Sequence, residues 1–198
     1  MSGIPEIGAR RIALNLMPKE VVIMDAVWVL KEDHKNVSAL IQEYFASPSS
    51  EVLADIVKEL SVHAAIEEQH VYPKIREVVP GGDKLADQAI EEHQAVKELL
   101  AELDGADGKD PSVTAGVSVL REFVEQHVEE EESALLPELT QHCELEDLQK
   151  LGQTLETAKT AAPTHPHPNA PARPPGNAVV GPALAAVDRL RDAISGKR

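Results

Sequence analysis

His63-Ala-Ala-Ile-Glu67-Glu68-Gln-His70-Val-Tyr72-Pro73 and His127-Val-Glu-Glu-Glu131-Glu132-Ser-Ala-Leu-Leu-Pro137 are the two stretches that decide how this chain folds. Each sets a histidine and a glutamate four residues apart, with a proline six residues after the glutamate. On a helix, positions i and i+4 share one face. Each stretch therefore offers an imidazole nitrogen and a carboxylate side by side. A single such pair is an ordinary exposed helix pair. The same pair occurring twice points to a two-metal site.

A second repeat accompanies the first. Glu32-Asp33-His34-Lys35-Asn36-Val37-Ser38-Ala39-Leu40 matches Glu91-Glu92-His93-Gln94-Ala95-Val96-Lys97-Glu98-Leu99 in the order Glu, acid, His, two residues, Val, two residues, Leu. Along the chain the order is His34, His63-x3-Glu67, His93, His127-x3-Glu131. That is one helical hairpin followed by a second like it. Two such hairpins packed together make an all-α four-helix bundle with pseudo-two-fold symmetry, its axis running through the place where the histidines meet.

Hydrophobic periodicity supports the helices. Residues 1–17 read as an N-terminal arm, and Pro18 suits a first helical turn. Helix A runs to about Phe45 on the seam Val27, Leu30, His34, Val37, Ile41, Tyr44. Ser47-Pro-Ser-Ser forms a turn, with Ser49 or Ser50 as N-cap. Helix B carries Leu53, Ile56, Leu60, His63, Glu67 and His70 and ends at Pro80-Gly-Gly. Helix C carries Ala86, Ile90, His93, Val96, Leu100 and Leu103. Helix D, after the Asp104–Pro111 turn, carries Val117, Leu120, Val124, His127 and Glu131. Pro73 and Pro137 are expected to kink or loosen the last turns of B and D. An additional helix covers about 144–160, which closes a bundle domain over 18–160. Residues 161–181, with six prolines, read as a stiff extended linker. Residues 182–198 read as a short amphipathic helix carrying Leu184, Val187, Leu190 and Ile194, and as a route to a homo-oligomer.

Net charge is −15, divided as −18 over residues 1–160 and +3 over the tail. An acidic body disfavours nucleic acid and anionic membrane as partners. Aromatics at 3% argue against a base-stacking surface. Cys143 is the single cysteine, which excludes an internal disulfide and a thiolate metal site. No secretory leader is evident and no apolar run is long enough to span a bilayer. The expected location is the cytoplasm.

The four histidines and both glutamates occupy positions where a bundle helix should present apolar side chains. A buried carboxylate without a partner is costly or becomes neutral. Two carboxylates and four imidazoles at one level call for a shared counterion, supplied by a pair of cations. Mixed nitrogen and oxygen donors suit first-row transition metals better than calcium or magnesium. With both glutamates bridging, roughly eight of twelve octahedral positions are filled, which leaves room for water, a bridging oxygen and an incoming ligand. His70 lies on the same face if the helix is regular, and its counterpart is Ala134. It is a candidate seventh ligand that would make the two metals unequal.

The ordered set His34, His63-x3-Glu67, His93, His127-x3-Glu131, together with Glu-Glu-x-His-Val-Tyr-Pro, resembles the hemerythrin-like family, the HHE cation-binding domain, over about residues 20–142. The resemblance implies an antiparallel up-down-up-down bundle holding two non-haem iron ions, oxo- or hydroxo-bridged. It also implies roles in binding or sensing O2 or NO, in iron sensing, or in peroxide decomposition. The oxygen carriers of the family have a His-x3-His pair on the third helix, whereas Ala89 stands four before His93 here, so His70 would have to be the fifth histidine. The proline-rich tail resembles an extension on some bacterial relatives.

Two function classes follow. One is a carrier or sensor of O2 or a related small ligand such as NO or peroxide. The alternative is a di-iron oxidoreductase that decomposes hydrogen peroxide or oxidises iron. Among the other residues, Glu68, Glu129, Glu130 and Glu132 read as solvated charge, and His142 as structural. His165 and His167 read as weak metal binders in the linker. Tyr44 and Tyr72 read as packing residues with hydroxyls near the bundle edge, either of which could reach the metal centre.

Overall fold

A computed structural model describes residues 24–195. The expected arm over 1–17 and the expected helix start at Pro18 lie outside these residues. The described residues form helices joined by turns, with no strand among them. Helix α1 spans Ala26–Ala46 and is capped by Asp25, whose carboxylate accepts the Trp28 N–H at 2.8 Å. Helix α2 spans Ser50–Ile66 and starts on the expected cap, Ser49. A π-helical turn, Glu67–Val71, continues it into α3, Tyr72–Val78. Gly81, with φ +78°, turns the chain into α4, Gly82–Leu103.

The second half repeats the pattern. Helix α5 spans Pro111–Glu130, followed by a π-helical turn, Glu131–Leu135, and by α6, Leu136–His142. The additional helix α7, Leu145–Lys159, packs on α1. Gly152 is what lets it close in, because a Cβ there would meet the Asp25–Ala26 backbone at 2.7 Å.

The core is split in two along the helices. On one side of the polar layer lie Val29, Leu30, Ile66, Ala86, Leu136 and Leu139. On the other lie Val37, Ile41, Leu60, Val96, Leu100 and Val124. His34 falls between Leu30 and Val37, His63 between Leu60 and Ile66, His93 between Ala89 and Val96, and His127 after Val124. The histidines therefore form a polar layer clamped between two apolar ones. The far end is locked by Tyr44, whose buried hydroxyl donates to the Gly108 carbonyl at 2.7 Å.

The tail differs from its expected form. Residues 161–175 make turns and bends, and helix α8 begins at Gly176, six residues ahead of the expected boundary, and runs to Ser195. Pro182 lies inside it. Side-chain bonds to the rest of the molecule hold this helix despite the missing N–H. Asp188 accepts from the Thr164 and His165 N–H groups, and Arg191 pairs with Asp104 at 2.8 Å. The apolar stripe is not the inward face. Ala185 and Asp188 are buried, while Val187, Leu190 and Ile194 are exposed. Asp188 has hydrogen bonds to gain from facing inward, and they decide the helix's rotation.

Candidate metal centre

Six of the seven candidate ligands converge. His34, His63, Glu67 and Glu131 form one group, and Glu67, His93 and His127 a second, with the donor atoms of each group within 4.8 Å of one another. Glu67 belongs to both groups. The His63 and His93 Nε2 atoms lie 3.1 and 3.3 Å from Glu67 Oε2. The His34 and His127 Nε2 atoms lie 3.4 and 3.7 Å from Glu131 Oε2. All six side chains are buried, Glu67 completely.

The π turns explain how both carboxylates point inward. Pro73 and Pro137 have no N–H and their rings collide with the carbonyl four residues back. The helix answers by widening just ahead of each proline. The Tyr72 N–H donates to the Glu67 carbonyl and the Leu136 N–H to the Glu131 carbonyl, each reaching back five residues. The expected loosening at the prolines thus takes the form of two matched π turns, each starting at the site glutamate.

The same widening moves His70. On an unbroken α-helix it would share the face of His63 and Glu67. The wider turn brings the residue five places after Glu67 onto that face instead, so Tyr72 points inward and His70 does not join either group. The Tyr72 hydroxyl lies 3.0 Å from Glu131 Oε1, 3.1 Å from His93 Nε2 and 3.4 Å from Glu67 Oε2. Half-buried His70 lines a wide cleft on the other side of the π turn.

Around the six lies a ring of outer carboxylates. The Nδ1 of His34 meets Glu132 at 2.9 Å and that of His127 meets Glu92 at 2.8 Å. The Nδ1 of His93 meets Glu68 at 3.2 Å, and that of His63 faces Asp33 at 3.7 Å. For His34, His93 and His127 the carboxylate on Nδ1 holds the proton there and turns the Nε2 lone pair to the centre, the usual arrangement behind metal-binding imidazoles, while His63 Nδ1 faces Asp33 without a hydrogen bond. The ring obeys the pseudo-two-fold. Asp33 and Glu92, each next to a site histidine, serve the following helix, while Glu68 and Glu132, each next to a site glutamate, serve a histidine of the other kind. Burial opposes ionisation of all four, yet each stays below the usual carboxylate range because it faces its histidine.

Glu68 and Glu132 therefore have roles that the expectation of solvated charge did not contain. Glu68 is buried and also holds buried Lys97 at 2.7 Å. The signal was present in the sequence as an acid beside His34, Glu67, His93 and Glu131, but acids are equally frequent on solvated faces. Neighbours across helices had to be known. Tyr44 stays at the far end, and His142 pairs with Glu138 in the last turn of α6. His165 and His167 are engaged with Asp104, Asp192 and Asp188.

The electrostatics describe a site made for cations. Burial, reinforced by Glu131, raises Glu67 well above the usual carboxylate range. Burial also opposes ionisation of Glu131, but His127, His34 and His63 hold it well below that range. Burial pushes His63 down to about 4. Two carboxylates this close cannot both ionise on their own account. Seven buried side-chain atoms among the described residues lack any hydrogen-bond partner, and four of them belong to the centre: His34 Nε2, His63 Nε2, Glu67 Oε1 and Glu131 Oε2. Orphaned polar atoms in a dry interior are rare. These four are lone pairs of nitrogen and oxygen donors in the two groups, the donor set that transition metals take. The residues fit a pair of such ions.

Fold and site together define a helical cation-binding domain with a histidine–carboxylate centre. The profile of the hemerythrin HHE cation-binding domain matches residues 25–139, more than half of the chain, and the chain belongs to that family. It is 29% identical over 194 residues to an uncharacterized hemerythrin-like protein of Schizosaccharomyces pombe, covering 92% of this chain and 94% of that one. It is 27% identical over 136 residues to a DNA nickase of Nostoc, where the match spans 67% of this chain but 38% of the nickase. The crystal structure of a hemerythrin HHE cation-binding domain-containing protein from Mycobacterium kansasii superposes with a TM-score of 0.60 at 23% identity, over 69% of this chain and 85% of that one. The match to the fungal protein covers more of this chain than the family domain does.

Proposed function

We propose that this protein is a non-haem di-iron protein that binds O2 or a related small ligand such as NO, as a carrier or sensor. The observation that carries the reading is Glu67. One fully buried carboxylate belongs to both donor groups, beside a small apolar cavity of about 20 Å3. Val37, Leu60, Val96 and Val124 line that cavity together with the four histidines. About one water-sized molecule fits such a volume. A ligand there would meet the metals and the valines but little water. In this reading α1, α2–α3, α4 and α5–α6 form an antiparallel up-down-up-down bundle. His34, His63, Glu67 and Glu131 would hold one iron, and His93, His127 and Glu67 would hold the other. Iron, when bound, supplies the one-electron chemistry that O2, NO and peroxide require. The chain's part is to fix the imidazoles through the outer carboxylates and to exclude water with the valines.

Ferrous loading under anaerobic conditions is expected to give about two irons per chain by elemental analysis, two being the number of donor groups. NO or O2 should then change the visible spectrum, and the change should reverse on ligand removal. Val124→Phe, which fills the cavity, should keep the iron and lose the response. Iron-free purified protein that refuses reloading would remove this reading.

The Tyr72 hydroxyl favours a second reading, decomposition of peroxide. A buried phenol within 3.4 Å of both site glutamates is placed to hold a proton near the centre. Burial, then Glu131 and Glu67, raises it well above its ordinary range, so it stays protonated. On this reading the iron-loaded protein evolves O2 from peroxide, and Tyr72→Phe slows turnover by about 100-fold at unchanged iron content. Gas evolution that is absent, or indifferent to Tyr72, returns the assignment to carrier or sensor.

No described helix is long and apolar enough to cross a membrane. With a net charge of −15 we expect no nucleic-acid or membrane partner, and DNA nicking is not carried over from the Nostoc protein. A cytoplasmic location fits the lone cysteine. The exposed Val187, Leu190 and Ile194 stripe supports a homo-oligomer through α8.

A further inference from the structure

The C-terminal segment roofs a cavity of about 700 Å3 beside the first π turn, and one of its side chains is bonded to the backbone of that turn. In the π register the Tyr72 N–H has gone to the Glu67 carbonyl. The Glu68 carbonyl would then accept from residue 73, which is a proline without an N–H. Glu68 is buried, so its carbonyl needs a partner from the protein. The Asn177 side-chain amide of α8 donates to it at 3.0 Å. The proline that shapes the metal centre thus leaves an acceptor which the tail satisfies.

The amide can act here only as a donor. Its nitrogen also donates to the Ala172 carbonyl at 3.2 Å, and its oxygen has no partner among the described residues. Two carbonyl neighbours admit the nitrogen side of an amide and refuse the oxygen side. The start of α8 is held close by further features. Arg173 meets Asp87 of α4 at 2.7 Å, which Arg76 of α3 also holds. Gly176 lets the chain turn tightly, because a Cβ there would meet Pro171 at 2.6 Å.

The second half has no such strap. Pro137 leaves the Glu132 carbonyl in the same position, but Glu132 is half-buried and no side chain of the described residues donates to its carbonyl. The two π turns share a register and differ in what completes them.

Glu68 is also where this turn meets the metal centre. Its carboxylate accepts from His93 Nδ1 at 3.2 Å and from Lys97 at 2.7 Å. A tie on the Glu68 backbone therefore bears on the His93 ring through a single residue.

We infer that Asn177 is a positioning residue for the metal centre: through it α8 straps the first π turn and, by way of Glu68, holds the His93 ring in place. The inference rests on the di-iron reading only where metal is added, and its first measurements use the metal-free full-length chain. Asn177→Asp keeps the shape of the side chain, loses both donated bonds and sets an oxygen against two carbonyls. Backbone amide exchange at Val71 and Tyr72 should quicken at least about fivefold. Leu135 and Leu136, the matched places in the second half, should keep the parent rates. In the imidazole nitrogen–proton NMR spectrum the His93 signal should move and the His34 signal should stay. A residue that merely anchored the tail would leave the His93 signal where it was. Coupling is reciprocal, so iron should slow exchange over residues 176–181 at least about threefold in the parent and not in the variant. Should Asn177→Asp fail to fold, Asn177→Ala loses the same donors without the added charge and is expected to give the same pattern. Unchanged exchange at Val71 and Tyr72, equal quickening in both π turns, an unmoved His93 signal, or bound iron that leaves residues 176–181 unaffected would overturn the assignment. A parent that takes up no iron would remove the di-iron reading and leave the metal-free measurements to decide this one.

Discussion

Glu67→Leu is expected to empty both metal positions and yet make the metal-free protein more stable. The carboxylate is fully buried, shared by both donor groups, and one of its oxygens has no hydrogen-bond partner. Loss of an outer partner of a metal site already costs about 10–100-fold in affinity, so removal of a shared donor should exceed about 100-fold. Metal content after dialysis against a moderate chelator should fall from about two per chain to near zero, the starting value being the number of donor groups. Without metal, Glu67 is an acid that burial and Glu131 keep from ionising. A leucine of similar volume removes that conflict and should stabilise the metal-free chain by about 1–3 kcal/mol in urea. Metal should raise the melting temperature of the parent and leave the variant where it was. A variant that still holds two metals, or whose metal-free form is less stable, would show that Glu67 is a structural acid and not a shared ligand.

The second large effect belongs to Glu68, a residue with no metal-facing role. Its carboxylate accepts from His93 Nδ1 at 3.2 Å and from the Lys97 ammonium at 2.7 Å, and both partners are buried. Glu68→Leu leaves the Lys97 charge in the interior without a counterion. The expected loss is about 3–5 kcal/mol of stability in the metal-free protein. The double variant Glu68→Leu/Lys97→Met removes both charges and should recover most of that loss. It should not recover the metal centre, because His93 has still lost the group that orients it. Iron affinity in the double variant should remain about 10–100-fold weaker. Recovery of both stability and affinity would mean that His93 needs no orienting partner.

Legibility differed between the two parts of the site. The inner set could be read because it lies on short helical intervals. The i, i+4 spacing of His63 and Glu67, repeated in His127 and Glu131, follows from helix geometry alone. The matched surroundings of His34 and His93 then placed the partners. The outer set could not be read that way. Asp33 serves His63 and Glu92 serves His127 across the space between helices. Nothing in local spacing separates Glu68, which is buried, from exposed Glu129 or half-exposed Glu130. His70 and Tyr72 exchanged their expected places for one reason. Proline was foreseen to disturb the helix, but whether it would kink, unwind or widen depended on what the next turn could pack against. Tyr72 is completely buried among the first core cluster, and that burial rewards the π turn.

The tail shows the same division. Its six prolines suggested a stiff extended linker, whereas residues 161–175 make turns and bends and α8 starts at Gly176. The side of α8 that faces inward did not follow from its apolar stripe, because Asp188 could satisfy two backbone N–H groups and His167 only by turning inward.

By itself the sequence determined the helices, the likeness of the two halves, and the six side chains that meet between two apolar layers. Those features depend on intervals of three and four residues, and a helix turns such intervals into faces whatever surrounds it. Only the tertiary structure decided which carboxylate stands behind which imidazole, that Tyr72 and not His70 enters the centre, and that the tail roofs a second cavity. Each of these depends on atoms distant in the chain competing for the same buried space, and that competition is settled by packing and hydrogen bonding across helices.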